Sequence, residues 1–176
     1  MSALNNFVVR APVAADADDV ARVHVQGWRE AYSDLVPESF YDEAALLRRQ
    51  AMWRSLLDKP LPIGRRVSVA EVNGQIVGFA LAGDPPGDEP SRARQLFALY
   101  ITGHHYGSGV GQALLDAVLG TEPAQLWVAE GNPRARAFYR RNGFEPDGGR
   151  KADADIDNLI EIRLVRGAIH SLSAGR

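Results

Sequence analysis

After a short β-rich run at residues 7–10, apolar positions begin to recur every three or four residues. Val20, Val23, His24, Gly27, Trp28 and Ala31 form one stripe, with Asp19, Arg22, Gln26, Arg29 and Glu30 off it, which predicts a helix with one buried face. The acids of residues 16–19, just past Pro12, supply its cap and first turn. Leu46, Met52, Trp53, Leu56 and Leu57, set among Arg48, Arg49 and Arg54, predict a second helix from about Tyr41 to Leu57.

The period then shortens. Residues 67–72 and 75–81 flank Asn73-Gly74, the dipeptide best suited to a two-residue turn, and predict a hairpin. Residues 96–101 (Leu-Phe-Ala-Leu-Tyr-Ile) are apolar throughout, as expected of a central strand buried on both faces. A glycine-rich loop, a helix over 112–119 and a strand over 126–129 follow. Asn132-Pro133 caps and opens a further helix that Gly143 ends. In the last strand, 159–165, Ile160, Ile162 and Leu164 alternate with Glu161 and Arg163. The order is strand, two helices, hairpin, then strand, helix, strand, helix, strand: an α/β domain with a mixed sheet. Three prolines within 83–90 mark a surface loop inside that domain. With 176 residues a single domain is expected, its core spanning about 7–165 and its small, polar tail from 167 frayed.

Composition narrows the chemistry. The absence of cysteine removes disulfides, thiolate metal sites and a cysteine nucleophile, and suits a cytoplasmic location. Twenty basic against twenty-two acidic residues leave a formal charge of −2, which gives no field to draw in nucleic acid or an anionic membrane. No run approaches the roughly 18 apolar residues of a spanning helix.

One segment stands apart. Tyr106-Gly107-Ser108-Gly109-Val110-Gly111 lies between the buried strand and a helix, where glycines let the backbone close on a ligand and the helix N-terminus favours an anion such as pyrophosphate. An ordinary flexible turn has the same composition. The loop lacks the lysine of a nucleotide-binding P-loop, has Leu114 where a dinucleotide fingerprint needs Gly or Ala, and lacks the glycines that flank a hydrolase serine. His104 and His105 have no carboxylate at ligand spacing, so no metal is expected.

These residues resemble the GCN5-related N-acetyltransferases, whose cofactor loop follows the pattern Arg/Gln-x-x-Gly-x-Gly/Ala. Here the match is Tyr106-x-x-Gly109-x-Gly111, with Tyr106 in place of the usual Arg or Gln. Leu99-Tyr100-Ile101 resembles the family's bulged strand, and Leu126-Trp127-Val128, Asn132 and Phe138-Tyr139-x-x-x-Gly143-Phe144 resemble its later motif. The resemblance implies a mostly antiparallel mixed sheet whose central parallel pair splays around acetyl-CoA, with flanking helices, and implies direct acetyl transfer to a primary amine of a small molecule or peptide. It assigns the cofactor to Leu99, Tyr100 and Ile101, to Tyr106, Gly107, Ser108, Gly109, Val110, Gly111 and Gln112, and to Asn132, Arg136, Tyr139 and Arg141. Tyr139 becomes the acid that protonates the departing coenzyme A thiolate; its alternative is packing of helix on sheet. Glu130 is the candidate base, its pKa expected to rise by burial, with Glu71 and Glu30 as alternatives. Arg134, Arg136, Arg140 and Arg141 offer either a phosphate site or a solvated face. Trp28, Glu30 and Tyr32, with Asp34, are candidates for an aromatic and acidic acceptor pocket, although Trp28 also fits the core stripe. A homodimer is compatible with an edge strand or the second helix. The rival function is an acyl-CoA sensor or interaction module without turnover.

Overall fold

A computed structural model describes residues 6–87, 90–153, 156 and 159–167. Seven strands form one sheet: β1 (Val8–Arg10), β2 (Arg66–Val72), β3 (Gln75–Gly83), β4 (Gln95–Ile101), β5 (Ala124–Ala129), β6 (Glu145–Ala152) and β7 (Ile160–Arg166). Their spatial order is β1-β2-β3-β4-β5-β7-β6, and every neighbouring pair is antiparallel except β4 and β5. The helices are α1 (Ala17–Tyr32), α2 (Glu43–Leu57), α3 (Val110–Leu119) and α4 (Pro133–Arg141). The mixed, mostly antiparallel α/β architecture is the expected one. Among the described residues no helix is long and apolar enough to cross a membrane.

Each face of the sheet carries its own core. Leu114, Leu115 and Val118 of α3 pack with Leu96, Leu126 and Phe144 on one side. On the other, Val20 and Val23 of α1 and Trp53 of α2 pack on Val69 and Phe79. The stripe read from the sequence explains this placement, and His24 within it is satisfied rather than exposed. Its Nδ1 accepts a hydrogen bond from Trp53 Nε1 at 3.2 Å, and burial, aided by the charge of Arg49, pushes its pKa down to about 3. Gly27 has a steric reason. A Cβ there would stand 2.5 Å from Tyr100 Cδ1, so only glycine lets α1 lie this close to β4.

Local signals place the turns. Asn73 and Gly74 adopt φ of 49° and 78°, as the two-residue turn between β2 and β3 requires. Asn132 caps α4 by accepting a bond from Ala135 N at 3.0 Å, with Pro133 in the first turn.

Two features of β4 shape the centre of the sheet. Leu81 pairs with Ala98 but Ala82 pairs with Leu96, so Phe97 is an extra residue that bulges the strand. Parallel pairing with β5 comprises Gln95 with Gln125 and Leu96 with Leu126, pinned by the buried Gln125-to-Gln95 side-chain bond at 2.9 Å, and stops where the bulge begins.

The sequence reading missed one strand. β6, Glu-Pro-Asp-Gly-Gly-Arg-Lys-Ala, is an edge strand paired with β7 and almost wholly exposed, so no apolar alternation betrays it. Boundaries differ slightly elsewhere: α3 starts at Val110, and the last strand is shifted by one residue, starting at Ile160 and ending at Arg166. The expected tail beyond Gly167 lies outside the described residues.

Candidate active site

Beyond Leu96 and Leu126 the parting of β4 and β5 opens a cavity of about 340 Å³. α1 bounds it on one side through Gly27, Ala31 and Tyr32. The loop before α3 and the inner face of α4 bound it on the other.

The loop is built for close approach. Gly107 and Gly109 adopt φ of 75° and 89°, conformations that suit glycine, and a Cβ on Gly107 would meet nothing within 4 Å. Gly109 is the N-cap of α3 and supplies no side-chain cap, so the helix presents its opening N–H groups and positive dipole end toward the cavity mouth. Gly111 is constrained differently: a Cβ there would stand 2.8 Å from Ile101 Cδ1, so glycine seats α3 on β4.

Leu99, Tyr100 and Ile101 line the cavity from β4, and Tyr106, Gly107, Gly109, Gly111 and Gln112 line it from the loop and α3. Asn132, Tyr139 and Arg141 line it from α4, and Tyr32 from α1. Ser108 and Val110 do not. Ser108 Oγ donates to His105 O at 2.6 Å on the exposed side, while Val110 is fully buried in the α3 core. Arg136 is exposed and donates to Glu130 O at 3.1 Å.

Three phenols gather at the base. Tyr139 is 8 % exposed, and burial first, then the neighbouring Tyr32, pushes its pKa up. Burial also raises Tyr100 and Tyr32, the latter partly offset by interaction with Tyr100 and Asn132. All three are therefore protonated at neutral pH, in a site that disfavours a phenolate.

Glu130 is not where the sequence reading put it. It is exposed, outside the cavity lining, and held by Arg150 through bonds of 3.0 and 3.3 Å. The Arg150 hydrogen bond lowers its pKa, the opposite of the expected rise. Position after the end of β5 turns it to solvent. Glu71 is tied to Arg10 at 2.8 Å beside β1. Glu30 stands at the cavity mouth, where it accepts from Tyr106 Oη at 2.8 Å and Gln26 Nε2 at 2.7 Å.

Nothing in the sequence distinguishes Arg134 among the arginines of α4. Its guanidinium stacks 3.6 Å over the Tyr106 ring and donates to Tyr106 Oη at 2.8 Å, and it lines the cavity. The loop position that has a tyrosine instead of a basic or amide residue is thus accompanied by a cation from α4.

The expected acidic acceptor pocket does not form. Trp28 sits behind Tyr32, with ring centroids 5.1 Å apart, in a small cluster with Val36, Ala129, Ile156 and Leu159. Asp34 is exposed, and none of the described residues lining the cavity is a carboxylate.

A model of the acetyltransferase (GNAT) domain matches residues 64–146, which span β2 to the start of β6 and include the loop. The protein named "Probable N-acetyltransferase Rv2775" of Mycobacterium tuberculosis is 29% identical over 152 residues, 82% of this chain and 83% of that one. "Uncharacterized N-acetyltransferase Mb2688" of Mycobacterium bovis is 30% identical over 142 residues, covering 77% of this chain and 86% of its own length. In fold, the PaiA N-acetyltransferase of Thermoplasma acidophilum, crystallised with coenzyme A, superposes with a TM-score of 0.60 at 16% identity over 92% of this chain and 99% of that one. A parted β4–β5 pair, a glycine-bent loop at the open N-terminus of α3 and relatives matched along most of both chains agree: this chain belongs to the GCN5-related N-acetyltransferase (GNAT) family.

Proposed function

We propose that the protein transfers an acetyl group from acetyl-CoA directly to a primary amine of a small molecule or peptide. The observation that carries this reading is the cavity between β4 and β5, with the glycine-capped N-terminus of α3 at its mouth and the buried Tyr139 side chain in its lining. The residues fit the cosubstrate. Gly107, Gly109 and the first N–H groups of α3 suit a pyrophosphate, Arg134 and Arg141 add positive charge, and the diverging edge of β4 leaves main-chain groups for an amide-bearing arm. Bound acetyl-CoA supplies an activated thioester; the chain itself binds, orients and moves protons.

With no cysteine to carry the acetyl group, the amine attacks the thioester carbon directly: a C–N bond forms, the C–S bond breaks with its electron pair leaving on sulfur, and the nitrogen gives up one N–H proton to water as the amide forms. Tyr139 keeps its proton at Oη and presents it to that sulfur. Its pKa, raised by burial above the ~10 of a free phenol, is not below that of an alkyl thiol, so stabilisation comes from the donated hydrogen bond ahead of full proton transfer. A lysine-like amine, with pKa near ~10.4, must first lose a proton. Since no described carboxylate lines the cavity, this proton leaves through water toward the mouth, where Glu30 and His105 stand.

Calorimetric titration with acetyl-CoA, followed by an amine panel, tests the proposal. Micromolar binding, near −8 kcal/mol, with turnover of at least one amine is the expected result. Binding without turnover of any amine would assign the cavity to sensing, and absence of binding by folded protein would overturn the assignment altogether.

A further inference from the structure

A pyrophosphate diester carries two negative charges, and the loop suited to receive it has no permanent positive charge to match. Residues 103–112 contain neither arginine nor lysine, so this stretch offers N–H groups and the dipole end of α3 alone. A cation reaches the loop from α4. Arg134 holds its guanidinium 3.6 Å over the centre of the Tyr106 ring, and its Nη2 donates to Tyr106 Oη at 2.8 Å. Tyr106 Oη in turn donates to Glu30 Oε2 at 2.8 Å, and Glu30 Oε1 accepts from Gln26 Nε2 at 2.7 Å, so a chain of bonds runs from α4 across the loop to α1. Partial burial first, then the Glu30 hydrogen bond, raises the Tyr106 pKa against the pull of Arg134. The phenol therefore keeps its proton on the Glu30 side and leaves its oxygen open to Arg134.

This seating leaves most of the guanidinium edge open. The stack uses its face, and the hydroxyl uses one of its N–H donors. Arg150 is paired with Glu130 and Arg163 with Asp147, whereas the partner of Arg134 is a neutral phenol that cannot cancel its charge. Arg134 is exposed, and it lines the cavity together with Tyr106, Gly107 and Gly109. A guanidinium held by stacking and one hydrogen bond has lost side-chain freedom before any ligand arrives, and its remaining donors match two phosphate oxygens.

We propose that Arg134, seated on Tyr106, is the side chain that binds the coenzyme's pyrophosphate, so that the loop supplies the platform and α4 the charge. This rests on the acetyl-transfer reading above and names the group that recognises its cosubstrate. Arg134 is the binding residue; Tyr106 acts through it as a positioning residue, and Glu30 fixes the direction of the Tyr106 O–H. The two positions work as a unit, so a cation placed at 106 can stand in for one removed from 134. Arg141, about two turns further along α4, also lines the cavity and is the competing candidate.

Calorimetry with coenzyme A and with 3′-dephospho-coenzyme A, which keeps the pyrophosphate, tests the assignment without an acceptor amine, on variants first shown to unfold cooperatively. Arg134→Gln should weaken both ligands by the same factor, about ten-fold or more, and Arg134→Lys, which keeps the charge without the fork, should recover part of the loss. Arg140→Gln, on the same helix but outside the lining, should change neither affinity by more than about two-fold. Tyr106→Phe keeps the ring and removes the hydroxyl; its loss should be about three-fold and should vanish in the Arg134→Gln background, because the hydroxyl acts only through Arg134. Tyr106→Arg added to Arg134→Gln should restore binding in part. Parent-like affinity in Arg134→Gln overturns the proposal. So does a loss confined to coenzyme A, which puts Arg134 on the 3′-phosphate, or a loss carried by Arg141→Gln and not by Arg134→Gln. A loss relieved by neither Arg134→Lys nor Tyr106→Arg marks a structural role and overturns it as well. If the parent protein binds neither compound, the acetyl-transfer reading itself fails.

Discussion

The two sides of the cavity are made of different materials. On the α3 side the groups that face a ligand are main-chain N–H groups, exposed by glycines at positive φ and by a helix whose N-cap is itself a glycine. On the α1 side they are side chains, chiefly the rings of Tyr32 and its neighbour Tyr100, held by burial and by Trp28 packed behind Tyr32. A backbone site is fixed by local conformation and tolerates drift of its neighbours. A side-chain site can change its chemistry with one substitution, which suits a surface that must match a variable acceptor while a shared cosubstrate occupies the other.

That contrast can be broken in order of effect. Gly109→Asp should be the most damaging change, because it puts a side chain at φ 89° and a carboxylate at the N-terminus of α3. Acetyl-CoA affinity, followed by calorimetry, should fall by at least about 100-fold in a protein that still unfolds cooperatively. Retained affinity would show that the loop is not the anion site. Tyr139→Phe should leave that affinity nearly intact and lower kcat by on the order of 100-fold, as expected for loss of a positioned donor.

His24 sharpens the comparison from the α1 side. Its folded pKa, about 3, lies below the unfolded value near 6.5, so below pH 6.5 the unfolded chain binds a proton that the folded chain refuses. The stability it contributes is complete above pH 6.5 and declines as pH falls toward 3, by up to about 1.4 kcal/mol per pH unit. His24→Gln, which still offers Trp53 an acceptor, should flatten the slope of melting temperature against pH over this window; an unchanged slope would place the acid sensitivity elsewhere. Glu130→Gln comes last. An exposed pair with Arg150 contributes little, so kcat/KM should stay within about two-fold of the parent protein. A large loss would return Glu130 to the chemistry.

The same contrast explains what could be read in advance. The glycine loop, the Asn73-Gly74 turn and the Asn132-Pro133 cap are local: each residue acts where it stands in the chain, and each was legible. Arg49 lies next to Arg48 on a helix of mixed polarity, and no feature of that segment says that Trp28, twenty-one positions earlier, faces it. Trp28, Tyr32 and Glu30 suggested an acidic cage because they are neighbours in sequence; the helix turns Glu30 to the mouth and Trp28 toward α2. Glu130 followed a strand whose alternation could not decide its direction, and its partner Arg150 lies on β6, the strand without a pattern.

The bulge at Phe97 has a final consequence. Leu96, Leu99 and Ile101 all pack toward α3, while Ala98 and Tyr100 pack toward α1. Strict alternation would put Leu96 and Ala98 together, so Phe97 is supernumerary: a chain lacking it would keep every other side chain of β4 on its present face. Such a chain would satisfy the same hydrophobic code and bury the same cores, with a straight β4 free to zip along β5. The gap between β4 and β5, the proposed seat of the chemistry, is therefore not demanded by the folding of this sheet. It is written into the chain as a single uncounted beat, and a deletion of one codon could close the active site in a protein that otherwise folds as before.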